Sequence, residues 1–469
     1  MTATVASSSA REALLERFRD TLEINLALNR SLVSYQSNRK RPFYRWFKYK
    51  EGFSAALVEY VLGHYGVGAG VLLDPFAGSG AALLVGRQYG LTGRAIELLP
   101  LGVAVMRARL AAERVSPRAF SAAVEAFRSG RWEGDADEKH AYGHLAITRG
   151  AFPERTEQQI NQFRTYLATA RLRPPIRLLL ETACLSVLET VSFTRKDGQY
   201  LRWDKRSPRN LTGRPFHKGP IPGFREAMLQ QLEMMRADIA GGGQLADASG
   251  NRTDSLEIEQ GSCLNILPAV PSRSCKLVVT SPPYCNRYDY TRTYALELAY
   301  LGTTEAGLKA LRHELLSCTV ENKSKVEELR GRYQTIGRGE TFGHAQKAFE
   351  NQQALQEVLS VLDRKGSRGE LNNPNVPRMV RNYFLESTVV LFELARIVSP
   401  GGRVVMVNDN VQYAGEEVPV DLILCALAEE AGFRTERIWV LERGKGNSSQ
   451  QMGAHGRNEL RKCAYVWKR

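Results

Sequence analysis

Two short runs in the chain combine residue types that chemistry needs and that packing alone does not. In VVTSPPYCNRYDY, residues 278–290, an apolar stretch ends in Ser281, Pro282, Pro283 and Tyr284. Consecutive prolines fix the backbone and remove two N–H donors, so the Ser281 and Pro282 carbonyls can be presented as acceptors to a ligand amino group. Tyr284 then supplies a flat face on which an extruded base can stack. In LLDPFAGSG, residues 72–80, Asp74 stands at the carboxyl end of an apolar run, and a turn containing Gly78 and Gly80 follows. Glycine there lets the backbone bend sharply and approach a ligand lying beyond the strand ends. Glu97 ends the next apolar run, about 20 residues on, where a carboxylate can accept hydrogen bonds from ribose hydroxyls. The pair points to a nucleoside cofactor. No GxxxxGK[ST] phosphate loop and no GxGxxG fingerprint occurs in the chain.

These residues need strand tips to hold them. Residues 70–74, 93–97, SLEIEQ, CKLVVTSPPY and GRVVMVN read as buried strands, with helices over 80–90 and 99–112 between the first of them. MVRNYFLESTVVLFELARIV is a long amphipathic helix, and a helix over 418–432 precedes two closing strands, RTERIWVLE and KCAYVWK. Strands alternating with helices predict a doubly wound, mostly parallel α/β sheet. At the N-terminus, Leu14, Leu15, Phe18, Leu22 and Leu26 predict a helix over the first ~35 residues.

Two stretches interrupt the sheet pattern. Residues 113–254 read as mostly helical and polar and include a basic tract, 195–218, with eight Lys and Arg against two Asp. Residues 303–375 read as a second charged helical insertion. The expected organisation is an N-terminal helical segment (1–42), a first half of the sheet (43–112), the insertion (113–254) and a second half (255–469).

The 469 residues are 43% hydrophobic and 24% charged, which excludes a chain disordered throughout. A net charge of +14 favours a polyanionic partner. No ~20-residue apolar run is present to span a bilayer and no secretory leader is visible, so a cytosolic protein is expected. Seven scattered cysteines without CxxC fit reduced thiols, and no metal-ligand spacing appears. His140 and His144, four apart, lack a third ligand and read as surface residues.

DPFAGSG followed by TSPPY resembles the S-adenosylmethionine-dependent amino-methyltransferases of DNA, which modify cytosine N4 or adenine N6. The resemblance spans residues 40–110 and 255–469 and implies a seven-stranded Rossmann-like sheet with an antiparallel last strand. It places Asp74, Phe76, Gly78 and Gly80 on the cofactor loop, Glu97 at the ribose, and Ser281, Pro282, Pro283 and Tyr284 on the catalytic tetrapeptide. PFYRWFKYKEGFSAALVEYVL resembles the family's helix before the cofactor loop, whose leading segment, here Tyr44 and Phe47, helps hold the methionine part. Ser262 stands where the family often has an acidic residue near the adenine. RNELRKCAYVWKR resembles the closing strand.

Ser at the head of the tetrapeptide is associated mainly with N4-cytosine enzymes. The implied reaction is a direct methyl transfer to an amino group whose lone pair is localised by hydrogen bonds to Ser281 and Pro282, with the base flipped out of double-stranded DNA. Carbon-5 methylation needs an activated thiol, and its usual Pro-Cys pair is absent; Cys285 reads as a packing residue. Arg195, Lys196, Arg202, Lys205, Arg206 and Arg209 are the expected phosphate contacts, with Arg287, Arg292 and RGKGN at 443–447 as further candidates, and Tyr288, Asp289 and Tyr290 as candidate pocket wall. A cognate restriction endonuclease or defence subunit is a possible partner in a bacterial or archaeal cytoplasm. Adenine N6 methylation, tRNA guanine-N2 methylation and a silent DNA-binding subunit remain alternatives.

Overall fold

The strand-turn-helix-strand run that starts at residue 71 builds the middle of a sheet, because its strands are apolar enough to be covered on both faces. A computed structural model describes residues 9–197, 200–209, 216–242, 256–442 and 459–469. The described strands are β1 (Leu22–Ile24), β2 (Val71–Asp74), β3 (Thr92–Glu97), β4 (Thr194–Asp197), β5 (Tyr200–Trp203) and β6 (Leu256–Gln260). They continue as β7 (Cys275–Thr280), β8 (Val398–Asp409), β9 (Val411–Tyr413), β10 (Glu416–Val418), β11 (Arg434–Val440) and β12 (Lys462–Lys468).

Eight of them form one sheet in the order β1-β11-β12-β8-β7-β2-β3-β6. β2 pairs parallel with β3 and with β7, β3 with β6, and β7 with β8, while β12 lies antiparallel between β8 and β11. The sheet is therefore Rossmann-like, as expected, with one strand more than the seven read from the sequence. From β2 the chain moves outward on one side to β3 and β6, then returns to β2's other side as β7. Ligands of such sheets bind beyond the carboxyl ends where the winding reverses, here between the tips of β2 and β7.

The extra strand corrects the reading of the N-terminus. The helix covers only Ala10–Arg17, opened by a reciprocal Ser9/Glu12 capping box. The chain then extends, and β1 pairs parallel with β11, Leu22 opposite Ile438. Leu14 and Phe18 are buried, whereas Leu26 is 75% exposed. Pairing with an otherwise open sheet edge outweighs helical spacing here.

Helices Pro117–Arg128, Glu154–Thr169, Pro174–Val191 and Phe224–Ala240 occupy the first inserted stretch. Their apolar faces, with Phe120, Phe163, Leu179 and Leu232 buried, join the core that includes Val58 and Leu72 under the cofactor turn. Part of the basic tract is neither helix nor loop: residues 195–197 and 200–203 belong to the β4–β5 hairpin, Arg195 opposite Arg202. Helices Glu305–Glu314, Val326–Thr335, Gly339–Asn351 and Gln353–Ser367 form the second inserted stretch. The last three share a second core with the long helix Val376–Ile397, whereas Leu308 of the first joins the core of the first inserted stretch. Among the described residues, no helix is long and apolar enough to cross a membrane, and no cluster of three or more potential metal ligands occurs.

Candidate active site

The two runs singled out in the sequence meet. Asp74 Oδ1, at the tip of β2, accepts from Thr280 Oγ1, at the tip of β7, at 2.6 Å, and from Phe76 N at 3.1 Å. The carboxyl is 1% exposed, and burial pushes its pKa up to about 7 against the opposing pull of those two hydrogen bonds. Asp74 thus ties the cofactor turn to the strand that carries Ser281. Glu97 closes the turn from the other side: Oε2 accepts from Gly78 N at 2.6 Å and Oε1 from Leu99 N at 2.7 Å. Burial raises this carboxyl also, to about 7, with the same backbone donors opposing.

The glycines are fixed by space as well as by conformation. Gly78 has φ 54°, and a Cβ there would lie 3.0 Å from the Tyr49 ring. Gly80 has φ 81°, and a Cβ would lie 2.6 Å from Met106 Cγ. Arg109, buried in the helix Pro100–Ala112, staples the turn from below. Its guanidinium donates to the carbonyls of Ser79, Phe43 and Tyr44, the last at 2.9 Å. No local pattern marks this residue's role, since an arginine at helical spacing reads as solvated.

A cavity with about 740 Å³ of empty space, open to solvent, lies over these strand tips. Phe76, Gly78, Glu97 and Ser262 line it together with Ser281 and Pro283. Ser281 Oγ is 3.1 Å from the Val407 carbonyl and 3.1 Å from the Tyr284 hydroxyl. Its proton, given to the Val407 carbonyl, fixes the hydroxyl and leaves Oγ an acceptor. Pro282 is buried and lines a smaller adjoining cavity with Leu316 and Met406. Ser262 Oγ donates to the Glu314 carbonyl at 2.9 Å. Tyr290 joins the wall, while Tyr288 and Asp289 are buried behind it. Cys285 is buried and its thiol is pushed well above the ordinary range by that burial, so it is no nucleophile.

Tyr44 and Phe47 require a correction, because neither lines the cavity. Tyr44 is buried beside the guanidinium groups of Arg41 and Arg109, and Phe47 packs near the Lys196 ammonium and Tyr294. Buried Asp238 holds this segment in place by accepting from Phe43 N at 3.0 Å and Trp46 Nε1 at 2.8 Å. The cavity is lined instead by Tyr49, Glu51 and Phe53, just before the helix Ala55–Tyr65. Their position directly ahead of the Ser54 cap was the available signal.

The basic hairpin divides into exposed and internal charges. Arg195, Lys205 and Arg206 are exposed, and Arg202 and Arg209 partly so. Arg202 and Arg195 lie 4.4 Å and 5.9 Å over the Phe216 ring, and Arg209 lies 4.5 Å over Trp203. Arg206 is committed to buried Asp204, with Nε to Oδ1 at 2.7 Å. Lys196 is the second correction: it is buried, paired with Glu297 and set against the rings of Phe47 and Tyr294, so its charge does not face a polyanion. Lys218 donates to the Ser192 and Thr190 carbonyls at 2.8 and 3.1 Å, at the end of the helix Pro174–Val191. Burial lowers its pKa to about 8. Arg287 donates to Asn372 Oδ1 at 2.9 Å, and Arg292 pairs with Asp289 and Glu321, both at 3.3 Å. The 443–447 run lies outside the described residues. His144 is held by Glu157 and Thr148.

The chain is 42% identical over 468 residues to the Type II methyltransferase M.AvaI of Nostoc sp. (strain PCC 7120), an alignment covering 98% of this chain and 94% of that protein. It is 36% identical over 479 residues to the Type II methyltransferase M.BsoBI of Geobacillus stearothermophilus, covering 97% and 91%. No family model matches the chain.

Proposed function

The chain belongs to the Type II methyltransferases, DNA-modifying enzymes whose methyl donor is S-adenosylmethionine, and on that premise we propose that its target is the exocyclic N4 of cytosine in a short duplex sequence. The observation that carries the reading is the shared cavity: Glu97 and the Gly78 turn at one part of it, Ser281 and Pro283 at another. The donor suits these residues, since Gly78 leaves the room a side chain would fill and Glu97 offers carboxylate lone pairs beyond the two backbone bonds it accepts.

When bound, S-adenosylmethionine supplies a sulfonium-activated methyl group. Glu97 would accept from the ribose hydroxyls, and Phe76 and Ser262, which line the same cavity, would hold the nucleoside. Ser281 Oγ and the Pro282 carbonyl accept from the two N–H bonds of the target amino group. That would draw the nitrogen towards a pyramidal geometry and localise its lone pair for transfer. Positioning and electrostatics then supply most of the acceleration, with no covalent enzyme intermediate. Tyr284 stacks on the flipped base, and Arg195, Arg202, Lys205 and Arg209 offset the flipping cost of a few kcal/mol through phosphate contacts.

Methyl-labelled S-adenosylmethionine, purified protein and duplex DNA, followed by nucleoside digestion, test the assignment. N4-methylcytosine is the expected product. N6-methyladenine moves the target to adenine, and labelled methylguanosine from tRNA moves it to RNA.

A further inference from the structure

Methylating an amino group creates a proton that must leave, and Ser281 cannot keep it, because an alcohol oxygen is far too weak a base. Three carboxylates line the cavity: Glu51, Glu97 and Glu314. Glu97 is engaged by two backbone N–H groups at the cofactor turn. Glu314 sits on the Ser262 side, where its own carbonyl accepts the Ser262 hydroxyl. Glu51 is on the remaining side, where its charge acts on the phenols of Tyr284, Tyr288 and Tyr290. Its backbone is left-handed, φ 62°, a conformation that disfavours any residue with a Cβ and that projects it at the cavity rim. Among the described residues its carboxylate forms no hydrogen bond and no ion pair.

Resting on the methyltransferase reading, we infer that Glu51 is the proton acceptor of the transfer step. The amino lone pair forms the new N–C bond as the C–S bond breaks, its electron pair returning to sulfur and leaving a neutral thioether. The nitrogen, now cationic, gives up one of the two N–H protons that Ser281 Oγ and the Pro282 carbonyl had held, and a Glu51 oxygen takes it up. Glu51 is exposed at the rim and passes the proton to water. The charged groups facing it are Asp409, Lys462, Lys50 and Arg30. The protein packed around its head group, and then Asp409, raise the Glu51 carboxyl above the ordinary glutamate range, which makes it a better base near neutrality. Asp409 is itself occupied, accepting from Lys462 Nζ at 2.9 Å.

The test compares Glu51→Gln and Glu51→Asp with the wild type in single-turnover methyl transfer to duplex DNA across pH, with S-adenosylmethionine affinity measured by calorimetry on the same preparations. The expected result for Glu51→Gln is a fall in the transfer rate of about 10²-fold or more, unchanged donor affinity, and loss of the acid limb of the pH–rate profile. Glu51→Asp should keep that limb. A Glu51→Gln rate within about twofold of wild type, a retained acid limb, or parallel loss of donor binding overturns the inference. Wild-type protein that transfers no methyl group at all overturns the functional reading beneath it, a distinct outcome.

Discussion

Replacing Glu97 by Gln separates what this carboxylate does for the fold from what it does for the donor. In the free protein its two oxygens already accept from Gly78 N at 2.6 Å and Leu99 N at 2.7 Å. Gln keeps one accepting oxygen and turns the other into a donor, so one backbone N–H loses its partner. A hydrogen bond to a charged group contributes about 1.5–3 kcal/mol. Against that stands the burial of the charge. The folded-state pKa lies above the unfolded one, so this group's contribution to stability is full below the ordinary value of 4.5 and is lost as pH rises through about 7. That shift corresponds to roughly 3 kcal/mol. At pH 8 the two effects of the substitution therefore offset and the melting temperature should change little, while near pH 5 the variant should melt lower. The ribose contact has no such offset: removing a charge-assisted acceptor should weaken S-adenosylmethionine by about 10- to 100-fold at pH 8. Calorimetric titration and thermal melts at the two pH values measure both. Donor affinity within about twofold of wild type at pH 8 would refute the assignment of Glu97 to the ribose.

Ser281→Ala removes an acceptor that acts on the amino group alone, so turnover should drop by about 10²- to 10³-fold with donor affinity unchanged. Equal loss of both, read from single-turnover rates and calorimetry, would place Ser281 outside the transfer step. Neutralising Arg195, Arg202 and Lys205 together should weaken duplex binding and lower the slope of log K against log salt by about 2 to 3. An unchanged slope would return the hairpin to ordinary surface. Lys196→Met leaves Glu297 buried and unpaired and should cost about 3–5 kcal/mol in denaturant unfolding. A loss below about 1 kcal/mol would show that the pair is not structurally required.

The sheet was legible because buried parallel strands are short apolar runs with acidic or Ser-Pro-Pro tips, a pattern that survives interruption by long inserted stretches. The placement of Asp74, Gly78, Glu97 and Ser281 at neighbouring strand ends was legible for the same reason, since the chain has little freedom there. What escaped depended on contacts remote in sequence. β1 exists because β11 offers a free edge more than 400 residues away, as the pairing of Leu22 with Ile438 records. Lys196 was read with its basic neighbours, yet strand alternation turns it to the opposite face of the hairpin, onto Glu297. Tyr49 and Phe53 were passed over for Tyr44 and Phe47 because the segment is pinned by Asp238, a residue of a helix that local sequence does not connect to it.

The most direct test of a single cavity holding donor and base is a crystal structure of the protein with duplex DNA and S-adenosylhomocysteine. The account predicts a cytosine swung out of the helix, its N4 about 3 Å from Ser281 Oγ and facing the sulfur across the space of one methyl group. A cofactor bound away from Gly78 and Glu97, or a base housed where it cannot reach Ser281, would contradict it.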